Sequence, residues 1–411
     1  MSQSIKRYDG ITALKAISCL MVFLSHWNGA FGNWGLALLD WLFRQSPLKI
    51  MTFGNMAVCI FLMLSGTLIS LKVYRGAPGQ WGRDMLKRYF RLVIPIFGTH
   101  LLVYVLSLTG LFRTGQAASL MGNDWLATYY GTPVSLWTVA RCTFITSIFT
   151  GDSSLYGPLW MMNYVFFGTV FSWLFAEVTA AMTLKGRTVF LLLVFGGFLV
   201  LDSYYVCFFL GNLLAQLLIW LKKSKEKALM TGGLVFVRLL SAASMALFFG
   251  GIWLALQSFV ITYRLVDRGV GGALGNASFW GLLAGFFLCW GFLFLWELQL
   301  TGKEGNRPAV TAAFLMKPLI WLGERCYAVF LVHWLVICTF SCGFYCHFIN
   351  RQNWFYLGIN FFLTLALIVI TSEIFYVLTE KLAYTYFWKK FQQLFYKPCA
   401  DDVEMNRKLL Q

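Results

Sequence analysis

Residues 11–31 read ITALKAISCLMVFLSHWNGAF. Within this run the only ionisable side chains, cysteine aside, are Lys15 and His26. As an α-helix rising about 1.5 Å per residue, the run is ~32 Å long, enough to cross a hydrocarbon core of about 30 Å. Runs of the same kind recur over 52–71, 92–112, 157–182, 188–202, 204–221, 235–258, 276–298, 319–341 and 354–379. The expected fold is therefore all-α, a polytopic membrane helical bundle of about ten transmembrane helices. Asp202-Ser203 is expected to make a tight turn between the fifth and sixth. The segment 136–150 is apolar enough to lie in the interface or to re-enter.

Composition points the same way. Of the 411 residues, 59% are hydrophobic and only 12% charged, whereas a soluble domain carries about a quarter charged residues. The Trp and Tyr residues near helix ends fit an interfacial belt. The net charge of +16 would suggest nucleic acid in a soluble protein. With the N-terminus inside, however, 24 of the 33 Lys and Arg residues fall in inner segments and 7 in outer ones, leaving Lys15 and Arg325 near or within helices. That asymmetry is the positive-inside signature. It places both termini in the cytoplasm and removes the need for a nucleic-acid partner.

Lys6 and Arg7 precede the first run, and no small-x-small cleavage site follows it, so the run reads as a retained helix. Residues 1–380 are expected to form one membrane domain and 381–411 a cytoplasmic tail, amphipathic through Tyr384–Tyr396. No internal repeat of the transporter kind is found. Cys19, Cys59, Cys207, Cys289 and Cys326 lie in apolar runs and read as small hydrophobes. Cys338, Cys342, Cys346 and His347 follow one helical face, without the paired CxxC of a zinc site, and no metal is expected. The sequence sets no oligomeric state.

Chemistry has to come from the few polar residues inside the helices, because ionisable groups there are costly. Lys15 and His26 are eleven residues apart, about three helical turns, so they share a face. The segment Phe61–Gly66 brings Ser65-Gly66 into the middle of helix two. The inner loop Lys87-Arg88-Tyr89-Phe90-Arg91 precedes Pro95; Arg88 and Arg91 either hold phosphate or anchor the topology. Tyr156-Gly157-Pro158-Leu159-Trp160 opens helix four on the outer side, with Trp160 in the belt or at a mouth. Helix nine carries a Glu324-Arg325 pair, read as buried, then Tyr327 and a second intramembrane histidine, His333. His100 in helix three has no supporting motif and reads as structural.

Taken in order, these segments resemble acyltransferase family three, the integral membrane acyltransferases that modify polysaccharides and related acceptors. The likeness covers nearly the whole chain. A basic residue, ten intervening positions and a histidine match Lys15 to His26. The family's "FFVLSGFLIS" matches Ile60 through Ser70, its RxxR before proline matches Arg88, Arg91 and Pro95, its "GPLWTM" matches Gly157 through Met162, and its "SYSLYLVHW" matches Cys326 through Trp334. Two positions depart from the pattern: Lys15 stands where arginine is usual, and Val165 where many members carry glutamate.

The resemblance implies an acyl-CoA donor, usually acetyl-CoA, reaching the protein from the cytoplasm. It implies His26 as general base, with Lys15 and His333 as catalytic partners. Arg88, Arg91 and Ser65 would hold the donor, and Trp160 and Tyr327 would face substrate. The acceptor would be a hydroxyl of an extracytoplasmic sugar, glycan or glycolipid, at the lipid bilayer of the cell envelope, in a multi-pass protein of the cell membrane. Two other readings of the residues are a glycan or lipid transporter or flippase, and a catalytically impaired family member.

Overall fold

The structure is a computed structural model that describes residues 9–32, 34–75, 81–130, 134–200, 204–231, 233–272, 276–299, 310–349 and 354–395. All its regular elements are helical. The long ones are α1 (Asp9–Phe31), α2 (Gly54–Tyr74), α3 (Trp81–Thr109), α4 (Met162–Ala181), α5 (Leu184–Val200), α6 (Tyr205–Met230), α7 (Leu234–Asp267), α8 (Ala277–Gln299), α9 (Val310–Glu324), α10 (Cys326–Val336), α11 (Trp354–Phe375) and α12 (Tyr384–Phe395). Among the described residues, nine helices are long and apolar enough to cross a membrane. The expected span 188–202 corresponds to α5, whose 17 residues sit at the short end for spanning. The Asp202-Ser203 turn, Lys6, Arg7 and the tail beyond Phe395 lie outside the described residues.

Two boundaries differ from expectation, each for a local reason. Helix three was expected from residue 92, with Arg88 and Arg91 in a loop; α3 starts at Trp81 and carries both arginines on helix. Helix nine was expected to run unbroken over 319–341. Instead α9 stops at Glu324, Arg325 leaves helical geometry (φ −104°, ψ 5°), and α10 begins at Cys326, continuing through π-helical turns to Phe348 as one span. Arg325 makes the break tenable. Its Nη1 donates to the Trp321 carbonyl at 3.2 Å, meeting an acceptor that the end of α9 leaves open. Its guanidinium also forms two hydrogen bonds to Glu373 of α11. The Glu324-Arg325 pair is therefore not a buried one: the Glu324 side chain is 60% exposed, and the main partner of Arg325 is Glu373.

The core runs along α1, α2, α6 and α10, with side chains such as Phe23, Trp27, Leu62, Met63, Phe208 and Trp334. α2 and α6 cross in backbone contact. A Cβ on Gly66 would lie 2.8 Å from the Phe208 carbonyl oxygen, and one on Gly211 would run into the Met63 carbonyl. Thr67 Oγ1 donates across the crossing to the Gly211 carbonyl at 3.0 Å. Small residues at such a crossing let two helix backbones touch inside a bilayer. α7 lies on the flank against α8 and leaves Leu239, Phe249 and Trp253 exposed. α12 packs on the start of α3 through Phe90, Phe387 and Phe391.

The segment expected to re-enter forms a short apolar helix, Leu136–Phe149. Asp152 closes it: its carboxylate accepts from Thr146 Oγ1 at 2.7 Å, the Ser154 backbone N–H at 3.0 Å and Cys142 Sγ at 3.4 Å. Burial alone would raise its pKa, but the hydrogen bonds from Thr146, Ser154 and Cys142 outweigh it and bring the value to about 2.

Two outcomes follow from these contacts. Gly211→Val forces α2 and α6 apart, an overpacking change of about 1–3 kcal/mol, so the fluorescence-monitored unfolding midpoint of the solubilised protein drops; an unchanged midpoint contradicts the crossing. Asp152 stabilises the fold above its ordinary pKa of 3.8, and that contribution disappears as pH falls through about 2. Asp152→Asn should remove this part of the acid sensitivity, and identical midpoint-versus-pH curves for the two proteins would count against it.

Candidate active site

α1 and α10 bring His26 and His333 together near the centre of the bundle. His26 Nδ1 and His333 Nε2 are 2.8 Å apart. The other ring nitrogen of His333, Nδ1, is 3.0 Å from the Val329 carbonyl oxygen. A carbonyl only accepts, so His333 Nδ1 carries the proton. With the ring neutral, His333 Nε2 is then a bare acceptor, and the proton between the rings belongs to His26 Nδ1. That leaves Nε2 of a neutral His26 with a free lone pair. One backbone carbonyl thus sets the tautomer of two rings in succession, as second partners of histidines commonly do.

Aromatic side chains enclose the pair. The Trp125 ring stacks over His26 at a centroid distance of 6.5 Å and 14° between planes, and Trp334 lies tilted at 5.4 Å. Trp125 sits on a one-turn helix, Asp124–Ala127. Asn123 ties that turn to the end of α1 by donating Nδ2 to the Gly29 and Ala30 carbonyls, both at 2.8 Å.

Two cavities adjoin the pair from opposite sides. The larger, about 460 Å³, is lined by His333, Lys15, Ser65, Arg88, Arg91, Tyr327 and Glu380, among others. The smaller, about 200 Å³, is lined by His26, Ser25, Asn55, Pro158 and Trp160. Val22, Val58, Met161 and Phe330 belong to both linings. The larger cavity carries an excess of positive charge, with Lys15, Arg88 and Arg91 set against Glu324 and Glu380. Among the described residues none of the three cations makes an ion pair, and Arg88 Nε is buried without a hydrogen-bond partner. Lys15 Nζ lies 5.9 Å from the Phe61 ring centroid. Such a cavity suits an anionic ligand.

Each residue expected to take part in catalysis or in donor or substrate binding lines one of these cavities. Lys15, Ser65, Arg88, Arg91, Tyr327 and His333 face the larger, and His26 and Trp160 the smaller. Tyr327 has a further task, since its hydroxyl donates to the Leu92 carbonyl at 3.0 Å and so braces the helix bearing both arginines. Ser65 Oγ donates back to the Phe61 carbonyl at 2.9 Å. His100, read as structural, bonds Thr143 Oγ1 at 2.9 Å, away from both cavities. Val165, at the position of the usual family glutamate, is buried and lines the larger cavity.

Sequence reasoning missed Trp125, Asn55 and Glu380. Trp125 lies between apolar runs, where a tryptophan reads as an interfacial anchor. Asn55 lines the smaller cavity while bonded to Ser278 and Tyr204, partners remote in sequence. Glu380 follows the last apolar run, at the very end of the expected membrane domain; in the fold it faces the larger cavity, with Oε1 buried and unpartnered. No group of three or more potential metal ligands occurs among the described residues.

The described helices thus form a membrane bundle in which a histidine pair adjoins two cavities. A family model described as an acyltransferase domain matches residues 8–373. The chain belongs to acyltransferase family three, and its activity is that of a membrane acyltransferase. No curated protein and no solved structure matches it.

The hydrogen-bond chain has a direct spectroscopic consequence. Nitrogen-labelled histidine should report both His26 and His333 as the tautomer protonated at Nδ1. A proton on Nε2 of either ring contradicts the assignment.

Proposed function

We propose that the protein transfers an acyl group, acetyl in the first instance, from a cytoplasmic acyl-CoA to a hydroxyl of an extracytoplasmic sugar, glycan or glycolipid. The observation that carries this reading is the histidine pair at the junction of two cavities, with unpaired cations in only one of them. The cationic chamber is lined by Arg88 and Arg91 near the start of α3, and Lys72, Arg75, Arg83 and Lys87 lie close to them in the sequence. That bias supports assigning this end to the cytoplasm. Arg88 and Arg91 meet the donor phosphates at the mouth, and Lys15 adds positive charge deeper in. The pantetheine arm lies along the chamber and presents the thioester to the junction. Aromatic walls and hydroxyl and amide groups on the other side favour a sugar.

The transfer follows from the tautomers. The acceptor hydroxyl comes to His26 Nε2, which takes its proton as the oxygen attacks the thioester carbon. The carbon–oxygen bond forms, the carbon–sulfur bond breaks, and the sulfur leaves as the CoA thiolate, which accepts the proton. His333 stays neutral and holds His26 through Nδ1, acting as a positioning residue. The products are an ester on the acceptor and free CoA thiol.

Membranes carrying the protein, supplied with radiolabelled acetyl-CoA and their own glycan and glycolipid pool, test both halves. His26→Ala should lower transfer about a hundred-fold or more, the range for losing a general base. Label incorporated at the parental rate removes His26 from the mechanism. Arg88→Ala combined with Arg91→Ala should raise the donor KM about ten-fold or more, equivalent to roughly 1.4 kcal/mol. An unchanged KM would reduce the two arginines to topology anchors.

A further inference from the structure

Four apolar residues, Val22, Val58, Met161 and Phe330, line both cavities. Val22 is four residues before His26 on α1, and Phe330 is three before His333 on α10, so each lies one helical turn from its histidine and on the same face. The Phe330 and His333 rings are 6.0 Å apart. Met161 comes from the turn that opens α4, and Val58 from α2. Val58 and Met161 are buried. The turn and α10 are locked together by Tyr156, whose hydroxyl donates to the Phe330 carbonyl at 2.8 Å. Four different helical segments therefore form a collar where the two cavities adjoin, with no polar side chain among them.

We infer that Val22, Val58, Met161 and Phe330 limit the length of the acyl group that the protein transfers. The inference rests on the donor reading above. The thioester sulfur stays on the side of the larger cavity, so the acyl carbon sits within the collar when a hydroxyl bound at His26 attacks it. A methyl group fits beside that carbon. A longer chain has two ways forward. It can extend into the smaller cavity, whose 200 Å³ or so must already hold the acceptor hydroxyl and its sugar. Otherwise it must push against side chains held by four packed helical segments, which yield little to added volume. Chain length is thus read where the bond forms, and longer acyl groups lose rate even where their CoA portion binds normally.

The experiment compares radiolabelled acetyl-, butyryl- and hexanoyl-CoA as donors for membranes carrying the unaltered protein. Acetyl should exceed butyryl by about a hundred-fold or more in apparent kcat/KM, and hexanoyl by more still, since each excess methylene costs ~ten-fold or more in a closed apolar site. The donor KM should change less than kcat. Comparable rates for all three donors overturn the collar while leaving the donor reading intact. Absence of label from every donor overturns the donor reading, and the collar with it. Two enlarging variants, Met161→Ala and Phe330→Ala, should each raise the hexanoyl-to-acetyl ratio about ten-fold. A filling variant, Val58→Leu, should lower butyryl transfer relative to acetyl. A donor profile that is the same in the parent and in all three variants assigns the length limit elsewhere and refutes the proposal.

Discussion

The hydrogen bond between His26 and His333 is the contact on which the rest of the site depends. Inside a bilayer no water relieves an unmatched polar group, so two facing imidazoles must share a proton or separate. The Val329 carbonyl decides which way that proton lies. The two helices are fixed to each other further along as well. Cys19 Sγ donates to the Cys326 carbonyl at 3.5 Å, and Gly323 admits the Thr12 carbonyl where any side chain would clash. α1 is thus held to the α9–α10 segment along its length, and the distance between the rings is set by backbone rather than by flexible side chains. Preorganisation of this kind lets a weak base act without rearranging first.

Charge is handled in two contrasting ways elsewhere in the bundle. Arg325 is saturated: Glu373, the Trp321 carbonyl and the faces of Trp321 and Tyr376 occupy its guanidinium. It ends one helix, starts the next and has no capacity left for a ligand. Arg88, Arg91 and Lys15 face a cavity and lack an ion-pair partner among the described residues. A fold that neutralises one arginine so fully has no shortage of ways to do so. The unpaired trio is therefore better explained by a ligand than by defective packing.

Much of this was legible in the chain because membrane solvation simplifies the reading. Apolar runs located the spanning helices but cut α3, α6 and α7 short where they continue through polar residues, and eleven-residue spacing set Lys15 and His26 on one face. What the sequence hid was of another kind. The break at Arg325 depends on Glu373, forty-eight positions later, and the extension of α3 back to Trp81 runs through polar residues that look like a loop. Glu380 was invisible for the same reason, since a carboxylate after the last apolar run gives no sign that the chain turns it inward. Trp125 and the collar residues are ordinary apolar side chains whose place at the junction exists only once helices from distant parts of the chain are packed together.

The position of the collar also bears on electrical work. In the proposed transfer the group that passes from one chamber to the other is an uncharged acyl, and the phosphates of the donor stay behind with the cations. If the hydroxyl proton passes through His26 to the departing sulfur, it crosses opposite to the acyl group, each side begins and ends neutral, and no net charge crosses. If it is instead released to the outer side while the sulfur is protonated from within, one positive charge moves outward. A full crossing of one charge is worth about 2.3 kcal/mol at 100 mV. The proposed transfer takes the first route, in which acyl group and proton exchange across the junction without net charge movement. The membrane potential then has little hold on the reaction, and the thioester supplies the driving force alone.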